Sequence, residues 1–192
     1  MNITFKALLA LVLLFPVTAM AQEESPLYAE VTFSDYHSSD GDTLAQEVYL
    51  DYSVSETISV WGDYYHIEGY SSMTAGVAYN WDNGWTTALG VGSNRYDGES
   101  HRIITPWVSY NSDEWALLAS AEYYSGGDSP FYQGYMLRRL SEHWDAGVYG
   151  ETDFGVGPMV GYRFNEHLLL RVSVPVADKS DAKILGALVL TF

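Results

Sequence analysis

The sequence predicts an all-β chain, an antiparallel up-and-down transmembrane β-barrel of about twelve strands, or ten if the weaker segments merge. Three observations predict it. Apolar residues alternate with polar or small ones at period two, short and longer connections alternate, and aromatic residues crowd the short turns.

The alternation is explicit. One phase reads Val48, Leu50, Tyr52; Met73, Ala75, Val77, Tyr79, Trp81; Trp115, Leu117, Ala119, Ala121, Tyr123; and Leu168, Leu170, Val172, Val174, Val176. The opposite phase supplies Glu47, Asp51, Thr74, Gly76, Asn80, Ser120, Glu122, Arg171 and Ser173. Each segment therefore has an apolar and a polar face. Alternation alone also suits a soluble sandwich, so the connections and the aromatics have to decide.

Short turn signals stand at Ser55-Glu56, Asp82-Asn83-Gly84, Ser112-Asp113, Ser141-Glu142-His143 and Asn165-Glu166. Between them, longer Gly/Ser/Asp-rich connections are read at 38–43, 68–72, 96–100, 125–130, 152–155 and 177–182. Tight turns on one side and longer loops on the other are the design of barrels with periplasmic turns and external loops. Tyr79, Trp81, Trp85, Tyr110, Trp115, Trp144, Tyr162 and Phe164 flank the short turns. In the outward phase they form a belt at one level, where amphipathic rings meet a membrane interface. The implied strands are 27–37, 44–54, 57–67, 72–81, 85–95, 102–111, 114–124, 131–140, 144–152, 156–164, 167–176 and 183–192.

The chain ends fit export. An apolar run from Ala7 to Val17 is followed by Ala19-Met20-Ala21, small residues at the positions a signal peptidase reads. Residues 1–21 are expected to be a cleaved signal peptide and 22–192 the barrel. The apolar run falls short of the roughly 20 residues of a membrane-spanning helix, and no later stretch approaches that length. Only a closed barrel would then satisfy every backbone group in hydrocarbon. There is no cysteine, and the formal charge is −16. The charge argues against nucleic acid as a partner.

The last segment places Ile184, Gly186, Leu188, Leu190 and Phe192 in the outward phase. That ending resembles the recognition strand of bacterial outer-membrane β-barrel proteins. The resemblance implies Gram-negative outer-membrane localisation, outer-membrane lipids and the barrel-assembly machinery as partners, and Phe192 as assembly signal.

The inward phase carries Glu30, Glu47, Asp51, Asp63, Glu114, Glu122, Asp145 and Glu151 against Arg138, Arg163 and Arg171. Acids on the early strands opposite arginines on strands eight to eleven imply a transverse field across an aqueous lumen. Glu47, Asp51, Asp63, Glu122, Arg138, Arg163 and Arg171 are the candidate lumen-lining residues. Arg138, Asp145 and Arg163 lie near one end of successive strands and are expected to pair. Arg138 and Arg139 are adjacent, so one of the two must face outward. Inward Tyr49, Tyr65, Tyr124, Tyr149, Trp61 and Trp107 would narrow a pore or offer a sugar-stacking track.

Three functions compete on this pattern. The first is a narrow passive channel for small hydrophilic solutes, leaning toward cations. The second is a non-conducting barrel with a structural, adhesive or envelope-assembly role. The third is a lipid-modifying enzyme, for which His37-Ser38-Ser39 with Asp35 and Asp40, or His101 with Glu99, would have to supply a nucleophile and base. No catalytic motif surrounds those residues. Neither the scattered His37, His66 and His101 nor the fragment Asp40-Gly41-Asp42 has the spacing of a metal site, and no cofactor is implied.

Overall fold

The structure is a computed structural model and describes residues 27–38, 41–96, 98–126, 129–152, 155–175 and 182–191. The segment expected to be a signal peptide and Phe192 lie outside the described residues. Twelve strands form one closed barrel in which every strand pairs with its neighbours in sequence. They are β1 (Leu27–Ser38), β2 (Gly41–Ser53), β3 (Ile58–Ile67), β4 (Tyr70–Asn80), β5 (Trp85–Tyr96) and β6 (Glu99–Asn111). The other half comprises β7 (Trp115–Tyr124), β8 (Phe131–Arg139), β9 (Trp144–Glu151), β10 (Gly155–Asn165), β11 (Leu168–Ser173) and β12 (Ala182–Thr191). Antiparallel pairing of β1 with β12, from Tyr28 opposite Thr191 to His37 opposite Ala182, closes the sheet and removes its edges.

The outward phase is the one the alternation predicts. Val77, Leu89, Val91 and Ile104 are each at least half exposed. A closed sheet with an apolar outer face and a polar inner one is stable only with hydrocarbon around it. At the short-turn end the belt is continuous: Tyr79 packs on Trp81, Trp85 on Tyr110, and Trp144 and Phe164 on Tyr162.

One piece of local chemistry closes three of the short turns. In Ser55-Glu56-Thr57-Ile58, Ser112-Asp113-Glu114-Trp115 and Ser141-Glu142-His143-Trp144, the serine Oγ accepts the backbone N–H three residues on, at 3.1, 3.1 and 3.2 Å. The serine supplies a partner to a donor that the turn would leave unpaired. His143 in the third of these turns and His167 beside the Asn165-Glu166 turn tie their turns to an adjacent strand, with Nδ1 3.0 Å from the carbonyls of Arg163 and Thr191 respectively. A carbonyl only accepts, so Nδ1 carries the proton in both rings.

The opposite end differs from the expected loops. The strands run on into two-residue hairpins, with Ile67 opposite Tyr70 and Tyr96 opposite Glu99. Gly69 and Gly98 take φ of 79° and 90°, the left-handed conformation such tight connections require. The Gly-containing stretches at 68–72 and 96–100 are therefore turns inside long strands. β11 stops at Ser173, short of the expected 176, because Pro175 has no N–H to continue the ladder.

Candidate functional site

Inside the barrel the wall is divided. Leu137, Tyr149, Met159, Leu185 and Ala187 form an apolar cluster on the β8–β12 side. Sequence reasoning placed only Tyr149 of it inside, because β12 is apolar in both phases and its inward Leu185 and Ala187 carry no polar signal. The open space lies against the strands that carry the carboxylates.

That space forms three cavities in series. At the loop end a cavity of about 490 Å³ is lined by Glu47, Asp63, Glu122 and Glu151 with Tyr65, Tyr70 and Tyr124. A middle chamber of about 350 Å³ shares Glu47, Asp63 and Glu122 with it and adds Glu30, Asp51, Trp61 and Trp107. A vestibule of about 200 Å³ at the short-turn end is lined by Arg139, Asp145 and Arg163, and shares Tyr28, Asn111 and Arg171 with the chamber.

Four carboxylates are held by one repeated device. Tyr28 donates to Glu30 at 2.5 Å, Tyr49 to Asp51 at 3.2 Å, and Tyr124 to Glu122 at 2.6 Å. Tyr149 donates likewise to Glu151. In each pair the two residues are two apart on one strand, so both side chains face inward and stand one above the other. Asp51 also accepts from Ser59 at 3.2 Å. A phenol O–H aimed at a carboxylate fixes its orientation without neutralising it.

Trp61, one of two tryptophans in the chamber wall, is 5% exposed. A Cβ on the inward-facing Gly76 or Gly90 would lie 2.8 or 2.4 Å from its ring. The two glycines let the indole lie flush against β4 and β5 instead of crossing the lumen. Its ring stacks at 6.0 Å on Tyr49, and both rings meet Trp107 edge-on.

The expected lumen residues are mostly placed as the phase implies. Glu47, Asp51, Asp63, Glu122 and Arg171 line the chamber, and Arg163 lines the vestibule. Arg138 is a correction. It shares the outward phase with the exposed Met136, and its guanidinium lies 5.6 Å from the centre of the Trp115 ring. Arg139 takes the inward position, 3.9 Å from Asp145, while Arg163 pairs with the same carboxylate at 2.8 Å. The cation on the belt side finds an aromatic face at the interface, whereas the inward one finds a charge to satisfy. The expected cluster is thus Arg139, Asp145 and Arg163.

Tyr28 and Arg171 stand where chamber and vestibule meet, lining both. The Arg171 side chain, 7% exposed, reaches Glu30 at 3.3 Å and lies 4.8 Å from the centre of the Tyr135 ring. Tyr28 completes the group through its bond to Glu30. Tyr28 and Tyr135 were not among the expected residues, although Tyr28 shares the phase of Glu30.

Of the histidine candidates, His66 and His101 do not come together. His66 is outward and stacks on Tyr64, whereas His101 is inward, 3.9 Å from Glu99, so they occupy opposite faces of the wall. The side chains of His37, Ser38, Ser39, Asp40 and Asp42 lie outside the described residues.

No protein-family model matches the chain, and no curated protein matches it in sequence. Solved structures share the fold. A KdgM porin is similar with a TM-score of 0.61 at 8% identity, over 85% of this chain and 99% of that one. The COG4313 outer membrane channel from Pseudomonas putida F1 gives 0.56 at 10%, over 92% and 99%. The outer membrane phospholipase A from Escherichia coli gives 0.56 at 10%, over 90% and 95%. The fold is that of outer-membrane β-barrels.

Proposed function

We propose that the protein is a narrow passive channel of the outer membrane that admits small hydrophilic solutes and favours cations over anions. The observation that carries this reading is the series of three cavities that share wall residues from one end of the barrel to the other. The first two are walled by Glu47, Asp51, Asp63 and Glu122, and Arg171 is the one arginine or lysine among the described lining of either. In a confined, poorly screened space such carboxylates lower the energy of an entering cation and raise that of an anion. The channels that share the fold are consistent with a conducting barrel. One KdgM porin structure is a complex with oligogalacturonate. A polyanion of that kind does not suit the acidic loop-end cavity of this chain.

Reversal potentials across a salt gradient test the reading. Wild type is expected to pass cations preferentially, with the preference falling as salt rises. The double variant Glu47→Gln, Asp51→Asn keeps side-chain size, so it should lose selectivity while folding normally. Unchanged selectivity would show that these carboxylates do not line the ion path.

A second reading, a non-conducting barrel, is favoured by one observation: the interlocked Arg171–Glu30–Tyr28–Tyr135 group stands where the chamber meets the vestibule. Absence of single-channel conductance in a planar bilayer would select it. The lipid-modifying alternative needs a serine on an imidazole. Among the described residues the rings of His143 and His167 bond to backbone carbonyls and His101 meets Glu99.

A further inference from the structure

We propose that the middle chamber is a binding site for aliphatic diamines, short hydrocarbon chains with an ammonium group at each end. The inference deepens the cation-favouring channel reading and relies on it for access from outside. Three independent features of the chamber point to this chemistry.

The first is a charge that the wall leaves largely unbalanced. Glu30 is met by Arg171 at 3.3 Å. Among the described residues Asp51 receives hydroxyl groups alone, from Tyr49 and Ser59, and Glu122 likewise receives Tyr124. One Asp63 carboxylate oxygen is buried without a hydrogen-bond partner. These carboxylates stand on β2, β3 and β7, so more than one ammonium can be accommodated at once. Each hydroxyl-bound carboxylate keeps lone pairs for a further donor.

The second is a set of deeply buried polar side chains aimed into the same space. Thr74 is 2% exposed and Thr105 7%, and both line the chamber. Neither Oγ1 has a hydrogen-bond partner among the described residues. A buried hydroxyl costs stability unless it is bonded. An ammonium carries three donors and no acceptor, which complements threonine oxygens and carboxylates together.

The third is the ring cluster of Tyr49, Trp61 and Trp107 beside the carboxylates. A wall that served hydrated metal cations would need charge and oxygen alone. Indole and phenol surfaces add contact for hydrocarbon and attraction for a cation. The combination selects an organic cation with an apolar body over a bare one.

Isothermal titration of the barrel folded in detergent tests this without requiring conduction. The probe is 1,5-diaminopentane, with 1,5-pentanediol as the uncharged analogue and potassium chloride of matched ionic strength as the charge-only control. Saturable one-to-one binding of the diamine is expected, with no saturable binding of the diol. Asp51→Asn with Asp63→Asn is expected to weaken it roughly ten-fold, and Trp107→Leu about five-fold, with heat-modifiable gel mobility confirming that each variant folds. The proposal is overturned if the diol binds as tightly, if potassium displaces the diamine as a simple counter-ion would, or if the two-carboxylate variant binds unchanged. A barrel that binds the diamine yet conducts nothing would refute the channel and keep the site. One that conducts selectively without binding it would do the reverse.

Discussion

The indole of Trp61 lies flush on Gly90, so that a Cβ there would come within 2.4 Å of the ring. The same ring lies 2.8 Å from a Cβ built on Gly76. Gly90→Ala should therefore push the indole toward the lumen, at a cost of roughly 1–3 kcal/mol for overpacking. Single-channel recording should show reduced conductance in a folded barrel. Wild-type conductance would mean that Trp61 does not border the permeation path.

Glu30 and Arg171 should behave as a unit. Glu30→Gln leaves a buried guanidinium without its counter-charge, and a loss of roughly 2–3 kcal/mol is expected, since Glu30 keeps some solvent contact. Arg171→Met with Glu30→Gln removes both charges and should recover most of it. Urea titrations of the barrel in lipid vesicles, followed by tryptophan fluorescence, would read both. Equal losses in the single and double variants would show that the pair is not coupled.

The two neighbouring arginines and Arg163 separate inside from outside. Arg163→Ala leaves the buried Asp145 with only the long contact from Arg139 and should cost roughly 2–3 kcal/mol. Arg138→Ala gives up a cation–aromatic contact at the belt and should cost about 0.5 kcal/mol. Unfolding midpoints that fall equally in the two variants would contradict the placement of Arg138 on the outer face.

Residues 1–21 are expected to be absent from the protein recovered from outer-membrane fractions, with Gln22 first. Intact mass is the measurement. A mass that retains the apolar run from Ala7 to Val17 would remove the signal-peptide assignment.

Much of this architecture was legible in the residues, for a physical reason. In a barrel that faces lipid on one side and water on the other, the period-two phase decides inside from outside, and it placed Leu50, Met73 and Val77 out and Asp51, Asp63 and Glu122 in. Where the phase carried no contrast, reading failed. Arg138 and Arg139 are chemically alike, and only the register with Trp115 and Asp145 separates them. Leu169 and Leu185 look like their lipid-facing neighbours, so the packed half of the interior was hidden. The external hairpins were overestimated because Gly69 and Gly98 were read as loop filler. Their positive φ lets the strands continue to the turn. The tyrosine–carboxylate pairs were present as residues two apart, but the hydrogen bonds that make them a device depend on side-chain conformation.

The loop-end cavity has carboxylates and no arginine or lysine among its described lining residues, while the vestibule at the other end sets Arg139, Arg163 and Arg171 against Glu114, Asp145 and Glu166. Fixed charge therefore changes along the axis as well as across it, from net acidic to balanced, and a conducting barrel built this way should act as an electrical diode. Its current should differ in size when the applied voltage is reversed. Because the polarity is built into the wall, molecules inserted into a bilayer in opposite orientations should rectify in opposite senses.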